Sequence, residues 1–185
     1  MLGYSKGTPD LQVALANEPG VHDKVAALVT LSGVVQGSRL SGPTKPTSQA
    51  VSPANLQDCT LGDGQGIESM SPAVRQAFLK QHPAPLVPTY SVVAYSQRRD
   101  TSRILQPTWD ILSEVGKAED SQMIAAEAVY PSGTYLGLVK RDHWAIAIPF
   151  ESSLLINKND FPRPQLFEAI LRFVVADLDG TAPYK

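Results

Sequence analysis

An α/β architecture, a mostly parallel sheet flanked by helices, is predicted by three observations in this chain of 185 residues. Apolar runs without polar alternation, such as VAALVTL at 25–31, suit strands buried on both faces. Between such runs lie segments with apolar residues at helical spacing, as at 71–82 and 164–177. The two kinds alternate along the chain, which sets consecutive strands side by side in one parallel layer.

Each element has a local reason. Gly3-Tyr4-Ser5-Lys6-Gly7 reads G-x-S-x-G, a pattern that around a nucleophilic serine marks a sharp strand-to-helix turn. Glycines flank such a serine because its backbone is strained and its neighbours pack closely. Thr8-Pro9-Asp10 then signals a helix start and Asn17-Glu18-Pro19-Gly20 a stop, so Ser5 sits just before a helix. The strand at 25–31 closes on the turn Ser32-Gly33. From Gly37 to about Cys59, Ser, Gly, Pro, Thr and Gln dominate, which predicts an irregular loop or the edge of a lid. One domain covers 1–185 on this reading, with a lid-like or loop insertion at about 37–88. Inside that stretch Ser71 caps a helix whose first turn takes Pro72, with Val74, Phe78 and Leu79 on one side before His82-Pro83. TYSVVAY at 89–95 is β-branched and aromatic, a strand. Residues 102–115 are expected to be helical, broken or restarted by Pro107. A strand at 134–139 follows the turn Pro131-Ser132-Gly133. The last helix, 164–177, presents Leu166, Phe167, Ile170, Leu171, Phe173 and Val174 to the sheet.

Composition narrows function. A formal charge of −2 with scattered Lys and Arg provides no basic stripe for nucleic acid. The single cysteine, Cys59, allows no intrachain disulfide and reads as a partly buried small residue. No segment resembles a signal peptide and no apolar stretch approaches the roughly 20 residues of a bilayer span, which leaves the compartment open. There is no H-E-x-x-H, no cysteine pair and no histidine cluster, so neither a metal nor a cofactor is expected. Gly62, Gly64 and Gly66 form a flexible loop rather than a phosphate cradle, since no strand leads in and no Lys-Ser or Lys-Thr follows.

A serine hydroxyl needs an adjacent base, and the base needs a group that fixes its tautomer. Of three histidines, His22 precedes a strand and His82 ends a helix, both ordinary solvated positions. His143 follows the last strand, where a loop at a carboxyl end presents it to a site, and is the candidate base. Two carboxylates compete as the orienting acid: Asp120, a turn before the final strand, and Asp100, shortly after the strand at 89–95. Asp142 adjoins His143, but neighbouring side chains point apart. Trp109 and Trp144 read as core or pocket-wall residues, Trp144 being the candidate for lining a substrate pocket beside His143.

Together LGYSKGTPD, VAALVTLSGVVQGS, EDSQM and RDHWAIAIPF resemble the carboxyl-terminal portion of an α/β-hydrolase of the bacterial serine esterase and lipase type. EDSQM is similar to that family's aspartate-glycine turn, with Ser121 in place of the glycine. The resemblance implies that Ser5 attacks a small-molecule or lipid ester carbonyl, that His143 relays the proton, that Asp120 orients the imidazole, and that the Lys6 N–H is one oxyanion donor. It further implies that the strand holding Ser5, earlier strands and the second donor lie outside this sequence, since only Met1 and Leu2 precede Gly3. An exposed sheet edge would then pair with a complementing amino-terminal half or with a second copy of the chain.

Overall fold

The computed structural model describes residues 1–41, 65–115, 118–156 and 160–182. Among these residues four strands form one sheet, parallel throughout and in sequence order: β1 (Leu2–Tyr4), β2 (Leu28–Leu31), β3 (Thr89–Tyr95) and β4 (Thr134–Lys140). Parallel neighbours need long crossovers, and these carry the helices. Helices α1 (Gly7–Asn17) and α2 (Pro19–His22) join β1 to β2; α3 (Gln65–Glu68) and α4 (Pro72–Gln81) precede β3; α5 (Gln106–Ser113) precedes β4; α6 (Arg163–Leu178) follows it. The alternating apolar pattern therefore predicts the fold class that is found.

Side-chain alternation divides the core. Val29, Leu31, Tyr90, Val92 and Ala94 face Ile170 and Val174 of α6. On the opposite face Leu28 packs with Leu15 of α1 and Val87, while Val93 meets Val34, Met123 and Ala128. Each Val, Leu, Ile or Met side chain among them contributes about 1.5–3 kcal/mol on burial, so the two layers clamp the strands and hold their carboxyl ends in place for the loops that follow.

Two expectations are corrected. The strand carrying Ser5 is present: Leu2, Gly3 and Tyr4 pair with Val29, Thr30 and Leu31, and the Met1 amino group donates to Ala27 O at 2.7 Å. A ladder this short carries little sequence pattern of its own. Residues 102–115 show the restart expected at Pro107: Arg103–Leu105 forms a tighter turn and α5 starts at Gln106. Pro107 lies in the first turn of α5, where its missing N–H has no intrahelical acceptor to lose, so it begins the helix rather than breaking it. Gly66 lies within α3 instead of a loop. Residues 42–64 of the stretch read as lid-like, including Cys59, Gly62 and Gly64, lie outside the described residues.

Candidate active site

Ser5 leaves β1 with φ 51°, a left-handed conformation that non-glycine residues seldom adopt. Backbone bonds hold it there: its N–H donates to Leu31 O at 3.2 Å, and its carbonyl accepts from Thr8 at 3.1 Å and Val34 at 3.2 Å. Gly3 is needed for close approach, since a Cβ would stand 2.8 Å from Thr8 Cα. Gly7 is not, because a Cβ there would meet no described atom within 4 Å. The second tight contact belongs instead to Gly33, whose added Cβ would collide with the Thr8 side chain. That side chain bonds Gly3 O at 2.8 Å, fixing α1 against β1.

His143 lies in the loop after β4, 3% exposed. Its Nε2 is 2.8 Å from Ser5 Oγ and its Nδ1 is 2.8 Å from Asp120 Oδ2. The other Asp120 oxygen accepts the N–H groups of Gln122 at 3.0 Å and Met123 at 2.8 Å. The His143 N–H donates to Asp120 O at 2.7 Å, so main chain and side chain register the two loops together. A carboxylate bonded to Nδ1–H leaves the Nε2 lone pair free to accept from the Ser5 hydroxyl. Ser5, His143 and Asp120 thus form one hydrogen-bonded chain across three loops.

Asp100 is elsewhere: exposed on the turn Arg98–Asp100, it stands 3.6 Å from Lys140 Nζ and makes no bond to His143. His22 Nε2 is bonded to Leu86 O, and the His82 ring lies 4.6 Å from that of Phe78 at the end of α4. Lys6 caps α1, placing its N–H in a first turn whose donors have no intrahelical acceptors. Its ammonium pairs with Asp10 at 2.7 Å on the surface, worth about 0–1 kcal/mol. A cavity of about 220 Å³ opens beside Ser5 and Lys6. Trp144 does not line it; its ring packs edge-on against Phe150, 5.3 Å between centroids.

Three supporting groups were not legible beforehand. Tyr4 donates its hydroxyl to His143 O at 2.6 Å and sets its ring 5.0 Å from the imidazole. Burial, with Asp120 and Asp142 nearby, raises the phenol far above its ordinary range, so it stays a donor. Asp142 turns away from its neighbour and accepts from Ser102 N and Oγ at 2.8 Å each and from Ala145 N at 2.8 Å, pinning the His143 loop. Buried Glu119 accepts the Ser121 N–H, and its other oxygen has no partner among the described residues. Burial, with Asp120 and Asp110 adding repulsion against the opposing Ser121 bond, pushes its carboxyl up to about 8. At neutral pH Glu119 is therefore mostly protonated and does not add a second buried charge beside Asp120. Ser121 has φ 83°, the conformation for which a glycine is the easier residue. The only signal for Tyr4 was its place before Ser5; its contact partner is 139 residues away.

No family model matches the sequence, and no curated protein matches it. Among solved structures, the metagenomic carboxyl esterase MGS0156 superposes with TM-score 0.82 at 37% identity, over 95% of this chain and 55% of that one. The fold is that of the α/β-hydrolases. Bacillus licheniformis lipase BlEst2 in mature form shares it at TM-score 0.60 and 18% identity, over 94% of this chain and 64% of that one. The propeptide form of the same lipase matches at TM-score 0.60 and 20% identity, over 91% of this chain and 35% of that one. The chain thus spans little more than half the length of the esterase it resembles at 37% identity. Its three hydrogen-bonded residues occur in the order serine, acid, histidine, the order of α/β-hydrolase triads. Among the described residues no group of His, Cys, Asp or Glu could hold a metal ion, and no helix is long and apolar enough to cross a membrane.

Proposed function

We propose that this chain carries the nucleophile, acid and base of a serine-type carboxylic-ester hydrolase. The observation that carries the proposal is the pair of 2.8 Å bonds linking Ser5 Oγ to His143 Nε2 and His143 Nδ1 to Asp120 Oδ2. His143 takes the proton as Ser5 Oγ bonds to the ester carbonyl carbon, and Asp120 stabilises the imidazolium. The Lys6 N–H is one donor to the oxyanion, a contribution of roughly 3 kcal/mol to the transition state. Collapse breaks the bond to the alcohol oxygen, which leaves with the proton from Nε2. Water then attacks the acyl-Ser5 ester, His143 taking its proton and returning it to Ser5 as the carboxylic acid departs. Substrates are small-molecule or lipid esters; 37% identity to a carboxyl esterase supports this class.

Fluorophosphonate labelling followed by intact mass tests the reading. One equivalent of label on the wild type, absent in Ser5→Ala and in His143→Ala, is expected. A folded chain that takes no label overturns the proposal.

The open side of β1 favours a second reading. Among the described residues β1 pairs only with β2, and Leu2 is 42% exposed, so a non-catalytic chain pairing through this edge with a complementing amino-terminal half or a second copy is the alternative. It predicts an unlabelled chain that associates in sedimentation analysis.

A further inference from the structure

We propose that Glu119 is a positioning residue for the reaction: its buried carboxyl sets the turn that carries Asp120 and, through Asp120, the orientation of His143. This rests on the serine hydrolase reading above. Three successive N–H groups of that turn converge on two carboxyls. The Ser121 N–H goes to Glu119, and those of Gln122 and Met123 go to one oxygen of Asp120 at 3.0 Å and 2.8 Å. The other Asp120 oxygen is thereby left to meet His143 Nδ1 at 2.8 Å. Ser121 completes the turn only at φ 83°, a conformation that a side chain disfavours, so the turn needs an anchor. Glu119 is that anchor, tied to the sheet by its own carbonyl, which accepts from the Ser96 N–H just after β3 at 2.8 Å. Without its carboxyl the Ser121 N–H has no acceptor among the described residues, and the turn can relax and move Asp120 off the imidazole.

The charge state of Glu119 bears on the same geometry. Asp120 must be ionised to orient Nδ1–H and to stabilise the imidazolium. The charged groups that act on Glu119 are Asp120 on its own turn and Asp110 of α5, which Arg98 holds at 2.6 Å; His143 bonds Asp120 in turn. Among the described residues no cation bonds the Glu119 carboxyl, and one of its oxygens has no partner. Burial, against the opposing Ser121 bond and with both acids adding repulsion, pushes that carboxyl up to about 8. Below that pH the turn holds one negative charge. Above it a second charge enters and repels the first, so activity should fall as Glu119 loses its proton.

The test follows p-nitrophenyl acetate hydrolysis and the rate of fluorophosphonate labelling from about pH 6 to about pH 9.5 in the full chain, in Glu119→Ala and in Glu119→Gln. Glu119→Ala should lower kcat at neutral pH about 10–100-fold with KM and the circular dichroism spectrum little changed. Glu119→Gln, whose amide oxygen accepts the Ser121 N–H without a titrating proton, should recover most of that loss. Across the alkaline range the wild type should lose at least about fivefold in kcat/KM with a midpoint near pH 8, and Glu119→Gln less than about twofold. A folded Glu119→Ala with wild-type kcat, a Glu119→Gln as impaired as Glu119→Ala, or the same alkaline fall in wild type and Glu119→Gln overturns the inference, while a labelled Ser5 still supports the hydrolase reading. Should Glu119→Ala not fold, the comparison of wild type with Glu119→Gln decides alone. A wild type that neither takes label nor hydrolyses the ester overturns the hydrolase reading itself, and the inference with it.

Discussion

Around His143, at the carboxyl ends of the strands, the triad and its neighbour are buried and bonded: Asp120 is 1% exposed and His143 3%, and every oxygen of Asp120 and Asp142 has a donor. Along β1 and the outer side of α6 the reverse holds, with Leu2 42%, Val175 56% and Leu171 59% exposed around a cavity of about 670 Å³. Both regions rest on one sheet. The difference teaches that order at the rim comes from satisfied hydrogen bonds, each costly to break, whereas the flank has apolar surface that no described residue covers. Substitutions should therefore be expensive at the rim and nearly silent at the flank.

The largest effect tests the centre of the rim. Asp120→Asn keeps the shape but loses the charge that stabilises the imidazolium, so kcat on a short ester should fall about 10³–10⁴-fold with the circular dichroism spectrum unchanged. A near-normal kcat would remove Asp120 from the proposed mechanism.

Next comes Glu119, a buried rim carboxyl with one oxygen unpartnered among the described residues. Its pKa is 4.5 in the unfolded reference and about 8 in the fold, so between those values the native state binds more protons and stability declines as pH rises. Glu119→Gln abolishes that decline. The variant's Tm advantage should be absent near pH 4, grow through the neutral range and level off above about pH 8. Parallel Tm curves for the two proteins would show that Glu119 is not protonated as described.

A smaller loss is expected for Tyr4→Phe, which deletes the bond to His143 O while keeping the ring. A kcat lower by about tenfold with KM unchanged is the outcome if Tyr4 positions the base. A matched loss of Tm with kcat intact would assign it to packing alone.

The flank should respond least. Leu171→Lys with Val175→Lys is expected to change stability by no more than about 0.5 kcal/mol per site and to lower any self-association seen by sedimentation. A loss of about 2 kcal/mol or more would mean that the flank is covered in solution, and the contrast with the rim would fail.

Local patterns carried much of the fold. The unbroken apolar run before Ser32 and the β-branched run at 89–95 were legible as strands because both faces of a parallel sheet are buried, and Ser71 with Pro72 was legible as a helix start because capping is a short-range interaction. The first strand was not, since a ladder of three residues, Leu2–Tyr4, is defined by its partner β2 rather than by its own pattern. The same holds within the site. Ser5 and His143 could be singled out from a motif and a strand end, but the choice between Asp120 and Asp100 stayed open from spacing alone.

What the sequence by itself determined is the alternation of strand and helix, the elbow around Ser5 and the set of chemically able side chains, all consequences of interactions spanning a few residues. What only the tertiary structure decided is which carboxylate meets His143, that Tyr4 and Asp142 hold its loop, and that Trp144 stands away from the cavity. Those outcomes depend on loops brought together across up to 139 residues, where chain direction and packing, not local preference, set the distances.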